Sequence, residues 1–238
     1  MDLTTSAERE SDSPFVERVW FSQSEQAGAF TSIANIHYGL VVTRYQGKLT
    51  LTVRGPETRA SPAHGLAGAE HFGIQFKAGT FMPDLPAQMV MDRCDVNLPC
   101  ASSQSFWLHG AAWQFPDFEN ADTFVDRLVR ERLLVSEALV DATLQGQVPD
   151  LSLRSVQRRF LRATGMTYST LRQIERARYA TILLKQGVSI LDTVEQAGYA
   201  DQPHLTRALK HMTGQTPAQM AGKYQRDPLS FLFKTLPY

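Results

Sequence analysis

Gly198-Tyr199-Ala200-Asp201-Gln202-Pro203-His204-Leu205-Thr206-Arg207-Ala208-Leu209-Lys210, followed by Thr213-Gly214-Gln215-Thr216-Pro217, is the stretch that decides the reading of this 238-residue chain. Asp201 is a good N-cap, because its side-chain oxygen can accept a hydrogen bond from an unpaired amide of the first turn. Leu205, Leu209 and Met212 then recur at helical spacing. Gly214 stops the helix, glycine being the residue that takes the left-handed cap conformation at least cost. Upstream, Ser189 caps a short helix through Ile190, Leu191, Val194 and Ala197, and Gly198-Tyr199-Ala200 turns the chain into Asp201. Helix, glycine turn, helix is the helix-turn-helix pattern.

The same pattern occurs earlier, at an offset of 49 residues. Arg158 falls on Arg207, Thr164 on Thr213, Gly165 on Gly214 and Thr167 on Thr216. Apolar Val156, Phe160, Ala163 and Leu171 fall on Leu205, Leu209, Met212 and Met220, and the N-cap Ser152 on Asp201. An internal repeat of this kind reads as one supersecondary unit used twice. Between the copies, Leu171, Ile174, Ala177, Thr181 and Leu184 predict a helix that joins the units, with Arg172, Arg176 and Arg178 along it.

The quoted stretch, with Ser155-Val156-Gln157-Arg158-Arg159-Phe160 and Ala163-Thr164-Gly165 of the first copy, resembles the signature of AraC/XylS-type transcription regulators. The resemblance covers about residues 137–225. It implies an all-α domain of two helix-turn-helix units joined by a long helix, which sets two recognition helices in successive major grooves on one face of promoter double-stranded DNA. A small-molecule effector, RNA polymerase and a second copy in a homodimer are the further partners of such a bacterial-type regulator. Two departures stand out. Gln147-Val148-Pro149-Asp150 replaces a compact turn after a first helix at about 137–145, and Leu205 and Leu209 stand where the family more often has Phe.

In such a dock the N-terminal part of each recognition helix meets base edges. The helical phase turns Val156, Phe160 and Ala163 inward, leaving Arg154, Gln157 and Arg158 outward in the first copy. In the second, Gln202, His204, Thr206 and Arg207 are the candidates. Arg bonds guanine O6 and N7 in a pair and Gln does the same with adenine, each good pair discriminating by about 1 to 3 kcal/mol. Arg159, Arg162, Arg172, Lys210 and the caps Ser152 and Asp201 suit phosphate, which positions a protein without reading sequence. The plain alternative for each is a solvated surface charge.

Charge divides the chain at the same place. Lys plus Arg equals Asp plus Glu, at 24 each. Residues 1–125, however, hold eight Lys/Arg against fourteen Asp/Glu, a net −6, and residues 126–226 hold fifteen against nine, a net +6. An acidic front half should limit indiscriminate attraction to DNA, whose strength rests on counterion release. Apolar residues at 43% and charged ones at 20% fit ordinary globular composition. No run approaches the roughly 20 apolar residues of a membrane span. The polar, acidic opening MDLTTSAERESDSP has no apolar signal core, so a cytoplasmic protein is expected. Cys94 and Cys100 then read as buried free thiols.

The front half is predicted to be β-rich, giving an α+β chain overall. Lys48 to Arg54 alternates Leu49, Leu51 and Val53 with Thr50, Thr52 and Arg54, and His71 to Lys77 alternates around Phe72, Ile74 and Phe76. Pro and Gly interrupt the region at short intervals, which suggests an antiparallel barrel or sandwich, cupin-like by the family's order. The expected domains are a β-rich regulatory domain at 15–118, a linker helix within 119–136 capped by Asn120 or Asp122, the DNA-binding domain at 137–225 and a tail at 226–238. His37, Tyr38, His71, Trp107 and Trp113 are candidate pocket linings, with core packing as the alternative for each. Trp20, Phe21 and Phe231-Leu232-Phe233 read as interface or domain-packing residues. No metal-ligand spacing, phosphate loop or nucleophile elbow appears, so neither a catalytic residue nor a cofactor is expected. Two rival readings are a cupin-like metal-dependent enzyme with an accessory helical domain, and a non-specific nucleic-acid or protein interaction module.

Overall fold

The computed structural model describes residues 3–147 and 151–223. The tail at 226–238, with Phe231-Leu232-Phe233, lies outside the described residues, as do Val148, Pro149 and Asp150 of the first unit's turn.

The front half is built of antiparallel strands. In chain order these are β1 (Leu3–Arg9), β2 (Val16–Ser24), β3 (Gly28–Ser32), β4 (Gly39–Tyr45), β5 (Lys48–Arg54), β6 (Ser61–Gly65), β7 (Glu70–Phe76) and β8 (Thr80–Phe81). The short helix α1 (Ala87–Val90) and β9 (Val96–Asn97) follow. A small meander of β10 (Cys100–Ser102), β11 (Ser105–Leu108) and β12 (Ala111–Gln114) completes the region. Six strands form one sheet in the order β1-β2-β7-β4-β5-β9, while β3 and β6 pair as a separate ribbon. The sheet does not close on itself, so of the two expected forms the sandwich fits and the barrel does not.

Register explains the two faces of this sheet, since directly paired residues point the same way and neighbours along a strand point oppositely. Val19, Ile74, Leu40 and Val53 form one row across four strands, and Phe21, Phe72, Val42 and Leu51 form another. Both rows join the contiguous apolar core. The opposite face carries Trp20, Gly73, Val41 and Thr52, then Ser22, His71, Thr43 and Thr50, then Gln75, Gly39 and Arg54. It is mostly polar, and the β3–β6 ribbon stands across a cavity from it.

Helix α2 (Ala121–Arg130) lies in the segment expected to link the halves. Asn120 occupies its N-cap position but its side chain accepts from the Asp117 amide at 3.0 Å rather than capping the helix. Asp122 instead binds Arg9 at 2.8 Å and the Ser11 hydroxyl, and burial, which would raise its carboxyl, is outweighed by those two bonds, which hold it low. β13 (Val135–Ser136) pairs with β8. The segment is therefore stitched into the front half at both ends.

The back half is helical: α3 (Ala138–Leu144), α4 (Leu153–Thr164), α5 (Tyr168–Lys185), α6 (Ile190–Gln196) and α7 (Gln202–Thr213). Leu171, Ile174, Ala177, Thr181 and Leu184 are all buried on α5, which packs against α4, α6 and α7. The apolar residues of both halves belong to one cluster. Cys94 and Cys100 are free, as expected, but both are exposed rather than buried, since each sits in a short edge segment around β9 and β10.

Candidate nucleic-acid interface

The repeat seen in the sequence is a repeat of hydrogen bonds. Ser152 caps α4 by accepting the Ser155 amide at 3.3 Å, and Asp201 caps α7 by accepting the His204 amide at 2.6 Å. Such caps contribute about 1 kcal/mol each. At the other ends Gly165 and Gly214 are left-handed, with φ of 72° and 74°, and their amides bond the carbonyls of Leu161 and Lys210. The buried Thr164 donates to the Phe160 carbonyl at 2.9 Å and accepts the Met166 amide at 3.3 Å. Thr213 repeats this with Leu209 at 2.6 Å and Gln215 at 3.3 Å. Every one of these pairs obeys the 49-residue offset.

With Phe160 and Ala163 buried on α4, and Leu205, Leu209 and Met212 on α7, the outward sides are fixed. Arg154, Gln157 and Arg158 are exposed on α4, and Gln202, Arg207 and Lys210 on α7. No side chain of these six makes a hydrogen bond or ion pair with another described residue. His204 and Thr206 are half-buried, and the His204 ring meets Tyr199 edge-on at 5.1 Å. Arg159 differs from the rest. Its guanidinium grips Glu137 at 2.6 and 3.0 Å, a bidentate bond from α4 to the cap of α3 that raises its pKa. Its geometry thus braces the first unit. Arg162 and Arg172 are exposed, whereas Arg176 lies over the Tyr199 ring at 4.4 Å, joining α5 to the turn of the second unit.

A helix-turn-helix domain model matches residues 149–223, which span α4 to the last described residue. Residues 149–223 are a helix-turn-helix domain. Among curated relatives, the HTH-type transcriptional regulator RipA of Corynebacterium glutamicum is 34% identical over 89 residues, covering 37% of this chain and 27% of that protein. RipA of Corynebacterium diphtheriae is 33% identical over 93 residues, covering 39% and 28%. The chain thus spans about a quarter of the length of the relatives it matches. Among solved structures, ToxT from Vibrio cholerae aligns over 87% of this chain and 98% of its own at 10% identity, with a TM-score of 0.37. ToxT bound to (E)-4-(8-methylnaphthalen-1-yl)but-3-enoic acid aligns over 86% and 97% at 9% identity, with a TM-score of 0.38.

The front half holds a cavity of about 330 Å³ between the polar face of the sheet and the β3–β6 ribbon. His37, Tyr38 and His71 line it; Trp107 and Trp113 do not. Trp107 stands half-exposed on β11, and Trp113 is buried beside Phe124 with the Arg127 guanidinium 3.8 Å above its ring. Both belong to the small meander, where alternation along β11 and β12 turns Trp113 inward and Trp107 outward. Trp20, read as a packing residue, lines the cavity instead. Its indole lies so close across Gly73 that a Cβ there would sit 2.1 Å from it.

His37 opens part of its surface onto the cavity yet lies deep in the molecule. Burial, with Arg178 and Arg18 nearby, lowers its pKa to about 3. A neutral ring whose Nδ1 lies 3.1 Å from the Phe76 carbonyl donates there. His71 is likewise lowered by burial, and its Nδ1 lies 3.1 Å from Thr43 Oγ1. The Tyr38 hydroxyl donates to the Leu85 carbonyl at 2.9 Å and burial raises its pKa. Sequence reading missed Ser22, Ser32, Arg54 and Glu57 here. The signal was present in the alternation of Thr50, Thr52 and Arg54, but a polar strand face reads as a solvent face until something is known to cover it.

Proposed function

We propose that the chain is a sequence-specific DNA-binding transcription regulator, with α4 and α7 reading base edges in successive major grooves. The observation that carries this is the pair Arg158 and Arg207. They occupy equivalent positions of the two capped helices, both are exposed, and neither is held by another described residue. Both lie in the half with a net charge of +6. Arg154, Gln157, Gln202, His204 and Thr206 are the other base-edge candidates, and Lys210 a phosphate contact. Arg159, engaged with Glu137, serves first as a brace that fixes the angle of α4.

On this reading residues 137–225 bind DNA, residues 15–118 regulate, and the 119–136 segment connects them. A small-molecule effector held in the front half, a second copy and RNA polymerase are the accompanying partners, in a cytoplasmic protein that is a regulator rather than an enzyme. No described helix is long and apolar enough to cross a membrane.

The test is selection of duplexes from a random library by the full chain, followed by competition between a selected duplex and random DNA. Arg158→Ala and Arg207→Ala should each weaken the selected duplex by about 10- to 100-fold, the cost of one bidentate base contact, and relax the preference at one position. Equal competition by random DNA, with both variants unchanged, would overturn the reading in favour of a non-specific module.

A further inference from the structure

The two reading helices repeat each other's caps and stops, but their third residues differ. In α4 this is Ser155, whose amide donates to Ser152 Oγ at 3.3 Å and whose hydroxyl accepts from the same group at 2.9 Å. The cap occupies that side chain. In α7 the equivalent residue is His204, and Asp201 takes only its amide, at 2.6 Å. The imidazole makes no hydrogen bond with another described residue. It meets the Tyr199 ring edge-on instead, with centroids 5.1 Å apart and planes at 88°.

Tyr199 is itself held from outside the second helix-turn-helix. Its side chain is buried, and its amide donates to the Val194 carbonyl of α6 at 2.9 Å. The Arg176 guanidinium lies over its ring, 4.4 Å from the centroid, and Arg176 Nη1 donates to the adjoining Gly198 carbonyl at 3.4 Å. A cation over a ring is attracted because the ring face is negative. Arg176 stands beside the buried Ala177 on α5, which packs against both α6 and α7. Arg176, Tyr199 and His204 thus form a line from α5, through the turn, to the start of α7. The first unit lacks it. The residues at the 49-residue offset are Arg127, Asp150 and Ser155, with no ring among them, and Arg127 lies over Trp113 of the front half.

An imidazole carries an N–H donor whether it is neutral or protonated. In the major groove a purine offers N7 as an acceptor, and guanine adds O6. A single donor therefore suits N7, which both purines share. Long exposed side chains such as Arg207 and Gln202 give up rotamer freedom on binding. A ring already stacked on its neighbour gives up less. His204 and Arg207 stand three apart on α7, which makes them neighbours on the helix surface.

We propose that Arg176 and Tyr199 are positioning residues that hold the His204 ring as a fixed donor to the N7 of a purine, beside the base read by Arg207. Preference at one position of the second block then depends on a side chain of α5 that touches no base. This rests on the DNA-reading role of α7.

The test uses the full-length protein and a duplex it has selected, with each purine replaced in turn by its 7-deaza analogue, which loses N7 and keeps its pairing edge. At one position the replacement should weaken wild-type binding about fivefold, the loss of one hydrogen bond. His204→Ala should weaken the unmodified duplex by about as much and be indifferent to the replacement there, whereas Arg207→Ala should still respond to it. Arg176→Met, which keeps the stem and removes the cation, should cut the response at that position to less than about twofold and leave the responses at other purines unchanged. Arg176→Lys should restore it. In the DNA-free protein the His204 ring protons should shift in the NMR spectrum of Arg176→Met and return toward their wild-type positions in Arg176→Lys. No purine whose response depends on His204, a response in Arg176→Met equal to wild type, or equal losses at every purine would overturn the inference while leaving sequence-specific binding intact. Failure to select any duplex would overturn the DNA-reading role and this inference with it.

Discussion

His37 shows how a single side chain ties stability to pH. Its pKa falls from 6.5 to about 3 on folding, chiefly through burial. The unfolded chain therefore takes up a proton below pH 6.5 that the folded chain refuses, and stability drops as pH falls from 6.5 toward 3 while nothing changes above 6.5. Between pH 7 and 5 this amounts to ~2 kcal/mol, readable as a fall in the urea midpoint. Glu57, whose carboxyl burial raises, acts with the opposite sign, so the comparison to make is with His37→Asn, which should lose most of the fall. A midpoint with the same pH dependence in both proteins would refute this. On the outer surface, Lys210 and Arg207 should separate the two kinds of DNA contact. Lys210→Ala should weaken selected and random duplexes alike and reduce the salt slope by about one, as loss of a phosphate contact does, whereas Arg207→Ala should penalise the selected duplex alone. Binding measured across a salt series distinguishes them.

At the scale of elements, the glycine caps carry unequal loads. Gly165 and Gly198 both have left-handed backbones, with φ of 72° and 68°, but their surroundings differ. A Cβ on Gly198 meets open space, whereas one on Gly165 would lie 3.0 Å from Met91 Sδ and 3.2 Å from the Ala87 carbonyl carbon, because the end of α4 rests on α1. Gly198→Ala should cost ~1 kcal/mol from backbone strain alone, and Gly165→Ala ~2 kcal/mol as overpacking is added; denaturant melts of the two variants check the order. The caps were legible from the sequence because capping is local chemistry. Ser152, Ser189 and Asp201 each do what an oxygen one residue before a helix can do, and the 49-residue offset fixed both glycines. The large sheet was legible as alternation. What alternation does not contain is which face is covered, because that depends on a ribbon whose paired residues lie 29 to 37 apart in sequence, from Ser32 with Ser61 to Gly28 with Gly65. Hence Trp20 reads as a packing residue although it lines the cavity, whereas Trp113, a candidate lining with core packing as its alternative, packs in the core.

For the whole molecule, the zero net charge is a sum of −6 and +6, and the fold does not keep the two halves apart. Front-half amides hold the end of α7, α1 holds the end of α4, and β13 returns to pair with β8. If α4 and α7 read DNA as proposed, the front half goes with them, and an acidic body travels with a basic face. On the proposed function, two equivalent helices read two stretches of one duplex. The most direct measurement is enrichment of random double-stranded DNA by the full-length protein, with sequencing of the bound fraction. The bound fraction should carry two short shared blocks about one helical turn, roughly 10 to 10.5 base pairs, apart, with Arg158→Ala erasing preference in one block and Arg207→Ala in the other. A bound fraction with no shared sequence, or a single block that both variants leave intact, would contradict it.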